Sequence, residues 1–275
     1  MKRIAVLTTF NEKGYTQYAK RMLQTFVDTW PSTVDLYVYA EDCAVEESAD
    51  NLHLIDLLAT VPELVAFKQQ WGNVPKALGQ VATGPVLRKG KQHGIGFKWD
   101  AVRFSHKIYS VCHAAGQLAG KVDWLLWADA DTIWHSPISE QELSDFCPDE
   151  YDLAYLGRKN KYTECGLYAM NLNSVDCLMF LERFQWVYDN AEAGIFTMSE
   201  WHDSFVFDRV KEQFKLKELD WAKGIITGEG HPLINSRWGL YADHLKGKRK
   251  DIGHSVPHDI KIIQHCEYWQ RIIQK

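Results

Sequence analysis

The sequence predicts an α/β protein built on a mixed, mostly parallel sheet flanked by helices. Two stretches carry that expectation. Ile4-Ala5-Val6-Leu7 is a short apolar run, a helical pattern follows over residues 15–29, and residues 34–40 form a second apolar run. Strand, helix, strand in that order is the unit from which parallel sheets are made. Further on, residues 122–132 read Val-Asp-Trp-Leu-Leu-Trp-Ala-Asp-Ala-Asp-Thr. Leu125, Leu126 and Trp127 read there as a strand apolar on both faces, as strands covered by helices on both sides are.

Composition narrows the function. The chain has 275 residues, 46% hydrophobic and 24% charged, enough for one large α/β domain. A single domain is expected over residues 1–275. Net charge is −5, from 31 basic and 36 acidic residues, so no basic excess points to nucleic acid. The lone basic cluster runs from Lys246 to Lys250. No apolar stretch approaches the ~20 residues that span a bilayer, and a strand is expected within three residues of the start, so no signal peptide is visible. The six cysteines show no C-x-x-C pairing and read as reduced thiols, which suits a cytoplasmic location.

The elements follow in order. The first helix shows Tyr15, Tyr18 or Ala19, Met22, Leu23 and Phe26 on one face, and Pro31 stops it. Residues 52–57 alternate as a third strand, and residues 63–71 read as a short helix. Residues 72–96 are rich in Gly, Pro, Lys and Gln without a period. A loop that long is read as a flap near the site, or as a surface insertion. Residues 97–118 form the clearest helical pattern, through Phe97, Ala101, Phe104, Ile108, Val111 and Ala115. A short polar helix is expected from Ser136-Pro137, and a strand at residues 151–156. Ser174 caps a helix over residues 175–188, with Leu178, Phe180, Leu181, Phe184 and Tyr188 as its buried face. Residues 200–207 open another helix. Past Trp221 the chain reads as irregular until residues 262–265, an apolar strand ending in His265.

The chemistry gathers where the Leu125 strand runs out. Asp129 and Asp131 are two residues apart, so strand periodicity sends both carboxylates the same way, toward one hard cation. Ligands of open α/β sheets sit outside the carboxyl ends of the strands. A divalent ion there can bridge the two phosphates of a nucleotide diphosphate.

The segment Trp-Ala-Asp-Ala-Asp-Thr resembles the Asp-x-Asp segment of nucleotide-sugar glycosyltransferases with the GT-A fold. It is most similar to family 8, the glycogenin and bacterial galactosyltransferase group. Two further segments fit in the family's order. Residues 162–172, Tyr-Thr-Glu-Cys-Gly-Leu-Tyr-Ala-Met-Asn-Leu, resemble Phe-Asn-Ala-Gly-Val-x-x-x-Asn-Leu, with Gly166, Asn171 and Leu172 in register. Glu164 stands where the family has Asn, and Cys165 where it has Ala. His244-x-x-Gly247-x-x-Lys250 is similar to the family's His-x-x-Gly-x-x-Lys near its C-terminus, although Asp251 and Ile252 replace the Pro-Trp that follows.

The resemblance implies a single GT-A domain over residues 1–275, with a nucleotide-binding half to about 135 and an acceptor half from about 136, and it implies roles. Thr8, Thr9, Asn11 and Tyr15 would lie near a uracil, with Asn11 otherwise a plain turn residue. Asp129, Asp131 and His244 would hold Mn²⁺ or Mg²⁺, with His265 as a rival third ligand. Gly247 would let the backbone approach the diphosphate, and Lys250 would neutralise it. Arg103 would act at the donor site, where a helix start also favours anions, or else form a surface ion pair. Gly166 would lie beneath the transferred sugar. His202 and Asp203 match the Gln-Asp part of the family's Asp-Gln-Asp-x-x-Asn, facing the reacting sugar; alternatively Asp203 is a first-turn acid favoured by the helix dipole. Asp203 and Glu164 are the candidate catalytic carboxylates.

The expected function is transfer of a sugar from a nucleotide diphosphate donor, UDP-linked, to an acceptor hydroxyl, with retention of configuration as in family 8. A nucleotidyltransferase of the same fold should carry a Gly-rich basic loop after the first strand, and residues 8–14 lack one. A non-catalytic sugar-nucleotide or glycan-binding module would keep the aromatic residues without needing the metal ligands.

Overall fold

A computed structural model describes residues 2–80, 96–225, 231–262 and 265–274. The strands of its central sheet are β1 (Ile4–Asn11), β2 (Asp35–Glu41), β3 (Leu52–Asp56), β4 (Trp124–Ala128), β6 (Leu153–Leu156), β7 (Glu164–Asn171) and β8 (Glu218–Asp220). A separate ribbon holds β5 (Thr132–Trp134) and β9 (Ala242–His244), paired antiparallel. The seven strands of the sheet lie in the order β3-β2-β1-β4-β7-β6-β8. β3, β2, β1 and β4 run parallel, β7 is antiparallel to β4 and to β6, and β8 runs parallel to β6. The mixed, mostly parallel sheet expected from the sequence is therefore present.

Both faces of the sheet are covered. Along β1 and β4, Ala5, Leu7, Leu125 and Trp127 join one apolar core, while Ile4, Val6, Trp124 and Leu126 join the other. Strict alternation between two cores explains why β4 shows no polar residue. A fully buried strand has nowhere to place a charge until it leaves the sheet, and Asp129 is the first residue past its end.

The helices start where side chains cap them. Asn11 accepts from the Gly14 N–H at 2.9 Å, so the first helical run begins at Glu12, passes through a π turn at Tyr15–Ala19 and continues as Lys20–Thr29. The long helix starts at Ala101 rather than at residue 97, because Asp100 accepts from the Arg103 N–H at 3.0 Å. Phe97–Trp99 before it is a 3₁₀ turn, and Phe97 is exposed. The polar helix is Glu140–Phe146, capped by Ser139 and not begun at Ser136. In Val175–Asp189, Leu178 is exposed, while Phe180, Leu181, Phe184 and Tyr188 are buried as expected.

The C-terminal stretch is more ordered than its composition suggests. It supplies β9 to the ribbon, and the helix Glu267–Ile273 follows, with Trp269 and Ile272 buried. The strand expected at residues 262–265 does not appear among its described residues, and His265 is exposed. Of the expected flap, residues 72–80 hold a 3₁₀ turn at Pro75–Ala77; residues 81–95 lie outside the described residues. No described helix is long and apolar enough to cross a membrane. All six cysteines are free.

Candidate functional site

The β5–β9 ribbon builds the centre of the site. It sets His244 opposite Thr132, and the Leu245 N–H donates to the Asp131 carbonyl at 2.8 Å. His244 thereby meets the carboxylate pair at the end of β4, although it is 113 residues from Asp131. Its Nε2 lies 2.9 Å from Asp131 Oδ1 and 3.6 Å from Asp129 Oδ2. One ligand atom from each of Asp129, Asp131 and His244 falls within 4.8 Å of the others. Two carboxylates and an imidazole are a donor set that could hold a divalent cation. His265 is exposed and takes no part in this cluster.

Gly166 is required at this point by packing. The Asp129 N–H donates to the Gly166 carbonyl at 2.8 Å, and a Cβ on Gly166 would strike the His244 ring. The histidine is fully buried. Burial alone would lower its pKa, but the Asp131 charge and hydrogen bond outweigh it and raise it. Burial likewise works against the Asp131 carboxylate, yet His244 and Lys250 together hold its pKa well below the usual range.

Two lysines attach to the two aspartates. Lys250 Nζ is 2.9 Å from Asp131 Oδ2 and lies over the Tyr18 ring at 4.1 Å. Lys107 is buried in the Ala101–Leu118 helix. Its Nζ donates to Asp129 Oδ1 at 2.9 Å, to Asp203 Oδ2 at 2.8 Å and to the Cys165 carbonyl, over the Trp127 ring at 4.6 Å. Burial opposes its charge, and the two carboxylates overcome that and raise its pKa. Asp203 is correspondingly lowered, with Lys107 outweighing the cost of burial. The chain thus links Asp203 to Asp129 through one ammonium.

Glu164 is buried with both oxygens engaged. Lys246 pairs with Oε1, Arg158 Nη1 lies 3.1 Å from Oε2, and the Gly166 N–H donates to Oε1 at 3.3 Å. Burial would raise its pKa, but Lys246 first, then the neighbouring imidazoles and Arg158, hold it well below the carboxylate range.

These groups face a cleft of about 920 Å³ lined by Phe97, Arg103, Phe104, Asp129, Asp131, Glu164, Gly166, His202, Asp203, Lys246, Gly247 and Lys250, among others. Gly247 adopts a φ of +61°, which glycine takes without strain. His202 caps the Asp203–Lys211 helix through Nδ1, accepting from the Phe205 N–H at 3.3 Å, and its Nε2 is 2.9 Å from Glu200. An adjoining hollow is lined by Thr9, Phe10, Asn11, Tyr18, Arg103, His106, Lys107 and both aspartates.

Most of the site residues expected from sequence thus converge, and two do not. Thr8 is fully buried within β1, and Tyr15 turns away, its hydroxyl donating to Glu47 at 2.7 Å and accepting from the Glu46 N–H at 3.0 Å. Period-2 alternation sends Thr8 inward and leaves Thr9 at the hollow. Tyr18, one helical turn on, lines the hollow instead. The residues that sequence reasoning missed are Lys107, Tyr18, His106 and Lys246. For Lys107 a signal existed: a lysine on the apolar side of a helix, one turn after Arg103, needs a buried partner.

No family model matches the sequence, and no curated protein is similar to it. Among solved structures, the backbone is similar to that of the bifunctional glycosyltransferase WbbM, with TM-score 0.46 and 10% identity over 80% of this chain, which spans only 39% of that one. Mouse xyloside xylosyltransferase 1 gives 0.44 and 12%, covering 76% of this chain and 82% of its own. A glycosyltransferase involved in the glycosylation of the major capsid of PBCV-1 gives 0.42 and 10%, covering 79% and 81%. These likenesses are faint, and the functional case rests on the site itself.

Proposed function

We propose that this chain is an enzyme that transfers a sugar from a nucleotide diphosphate donor, UDP-linked, to an acceptor hydroxyl, with Mn²⁺ or Mg²⁺. One observation carries the reading. Asp129, Asp131 and His244 come together at the carboxyl end of a central strand, with Lys250 beside them and a cleft in front. The sequence resemblance to family 8 supports the same assignment and implies retention of configuration.

The three ligands would hold the cation, which supplies positive charge to a leaving diphosphate. The chain's own groups act around it. Lys250 sits within reach of anything bound at Asp131 and brings a charge that a diphosphate can share. Gly247 has open space at its Cβ position, so a ligand can approach the backbone there. Arg103, at the exposed first turn of its helix, adds a second charge at the mouth. Glu164 keeps Lys246 and Arg158 in place rather than facing substrate with a free oxygen. Asp203 keeps an edge on the cleft while Lys107 fixes its orientation, so it can hold a sugar hydroxyl or steady positive charge at the anomeric carbon.

A second reading follows from one feature. Asp129 and Asp131 already carry the ammonium groups of Lys107 and Lys250, so the cluster can be neutral without a cation and serve binding alone. Hydrolysis of UDP-sugars with Mn²⁺ and with chelator separates the two. Turnover that needs the cation and is lost in Asp131→Asn is expected. Cation-independent UDP-sugar binding without turnover would leave only the binding module.

A further inference from the structure

A second cavity, of about 490 Å³, opens beside the first. Arg158, Lys161, Asp208 and Glu212 line both, so the two cavities adjoin. Two loops frame it. In the first, residues 158–161 turn back with the Lys161 N–H donating to the Arg158 carbonyl at 3.3 Å, and Asn160 takes a left-handed φ of 57°. The Arg158 side chain ties that turn to β7, donating through Nε to the Tyr162 carbonyl at 2.6 Å and through Nη2 to the Thr163 carbonyl at 3.1 Å. The second loop, after β8, is locked to the first by Asp220. Its Oδ1 accepts from the Gly157 N–H and the Ala222 N–H, each at 2.8 Å. A side chain on Gly157 would strike that carboxylate, so glycine there lets Asp220 close the contact between the loops.

The charges around this cavity do not cancel. Asp208 and Asp220 keep their negative charge, since among the described residues only neutral N–H and O–H groups donate to them, while Glu212 pairs with Arg209 at 2.6 Å. Lys211 pairs with Glu218 at 2.6 Å. Lys159 and Lys161 on one loop and Lys223 on the other line the cavity, are exposed, and have no ion pair among the described residues. Lysines scattered on a convex surface are simply solvated. Three around one concavity concentrate anions there, and a lysine binds phosphate as a point charge. Set against the Asp208 and Asp220 carboxylates, the three lysines leave a positive excess, which suits an anionic group such as a phosphomonoester.

We infer that this cavity holds the phosphate of the acceptor, a phosphorylated sugar whose free hydroxyl reaches into the main cleft. The inference rests on the transfer reading above, because only then does a second substrate need a place beside the first. The phosphate can belong to a soluble sugar or to a lipid headgroup.

Titration of the full chain with glucose 6-phosphate, with glucose, and with phosphatidylcholine vesicles with and without phosphatidic acid tests it. Glucose 6-phosphate should bind and glucose should not. Lys159→Ala/Lys223→Ala should weaken glucose 6-phosphate by ~10-fold or more, and Lys159→Arg/Lys223→Arg should retain it. Binding confined to phosphatidic acid vesicles and lost in the alanine variant would assign the phosphate to a lipid headgroup. Equal binding of glucose and glucose 6-phosphate, no binding of either phosphate probe, or binding unchanged in the alanine variant, overturns the inference. UDP binding with Mn²⁺ is measured on the same samples and should not change. Its absence in the wild type would overturn the transfer reading separately, leaving the phosphate result to be read alone.

Discussion

Lys107 is the residue that ties the site together, and its partners explain why sequence alone passed over it. Asp129 is 22 residues away and Asp203 is 96, so no local spacing shows the contact. Replacing it by Met keeps the packing on Trp127 but leaves two carboxylates without their shared cation. Lys107→Met should cost about 3 kcal/mol or more in unfolding free energy, the scale for breaking a buried pair; a denaturation midpoint equal to wild type would mean the ammonium is not holding the carboxylates. Asp203 is the residue on which the proposed transfer and mere binding differ. Asp203→Asn should keep UDP affinity while cutting transfer or donor hydrolysis by ~100-fold, the usual effect of losing a positioned catalytic group. Loss of stability with the rate intact would make it a helix-start residue only. Asp129 and Asp131 were legible because a carboxylate just past a buried strand must meet either solvent or a positive charge. Thr8 and Tyr15 lie off the hollow because β1 runs on through Asn11, which turns Thr8 inward, and because Tyr18, not Tyr15, is the tyrosine of the first helical run that faces it.

At the scale of elements, the strands and long helices follow from periodicity, while the C-terminal ribbon does not. β5 and β9 are three residues each, too short for a pattern, and their pairing partners lie more than a hundred residues apart. That ribbon nevertheless decides that His244, and not His265, meets the aspartates. The helix Glu267–Ile273 packs behind it. His135, just past β5, stacks flat on Tyr268 with ring centroids 4.0 Å apart and meets the Trp269 edge at 5.4 Å. Burial in that stack lowers the His135 pKa to about 4 from an ordinary 6.5. Between those values the unfolded chain binds a proton that the folded chain does not, so stability rises with pH across the window and falls as pH drops from 6.5 to 4. The loss should be on the order of 2 kcal/mol, less than the full shift implies because part of the ring is exposed. Urea unfolding of wild type and His135→Gln over that range checks it: the difference between the two curves should close as pH falls, and a constant difference would show that the ring does not titrate there.

For the whole molecule, the two-faced core was the most legible feature, because residues 4–7 of β1 and all of β4 are apolar where the two strands pair. The site was legible in its carboxylates and in the His-x-x-Gly-x-x-Lys spacing, but not in the lysines and arginine that neutralise its acids from distant elements. The sheet brings Asp129 and Asp131 to the carboxyl end of β4, the ribbon adds His244, and Lys250 completes the place proposed to bind a cation and a diphosphate together. Calorimetric titration of UDP, with Mn²⁺ and with chelator, on wild type and on Asp131→Asn tests that joint site most directly. Wild type should bind UDP at least ~10-fold more tightly with Mn²⁺, and Asp131→Asn should show no such gain. Equal UDP affinity in Mn²⁺ and chelator for the wild type would contradict it.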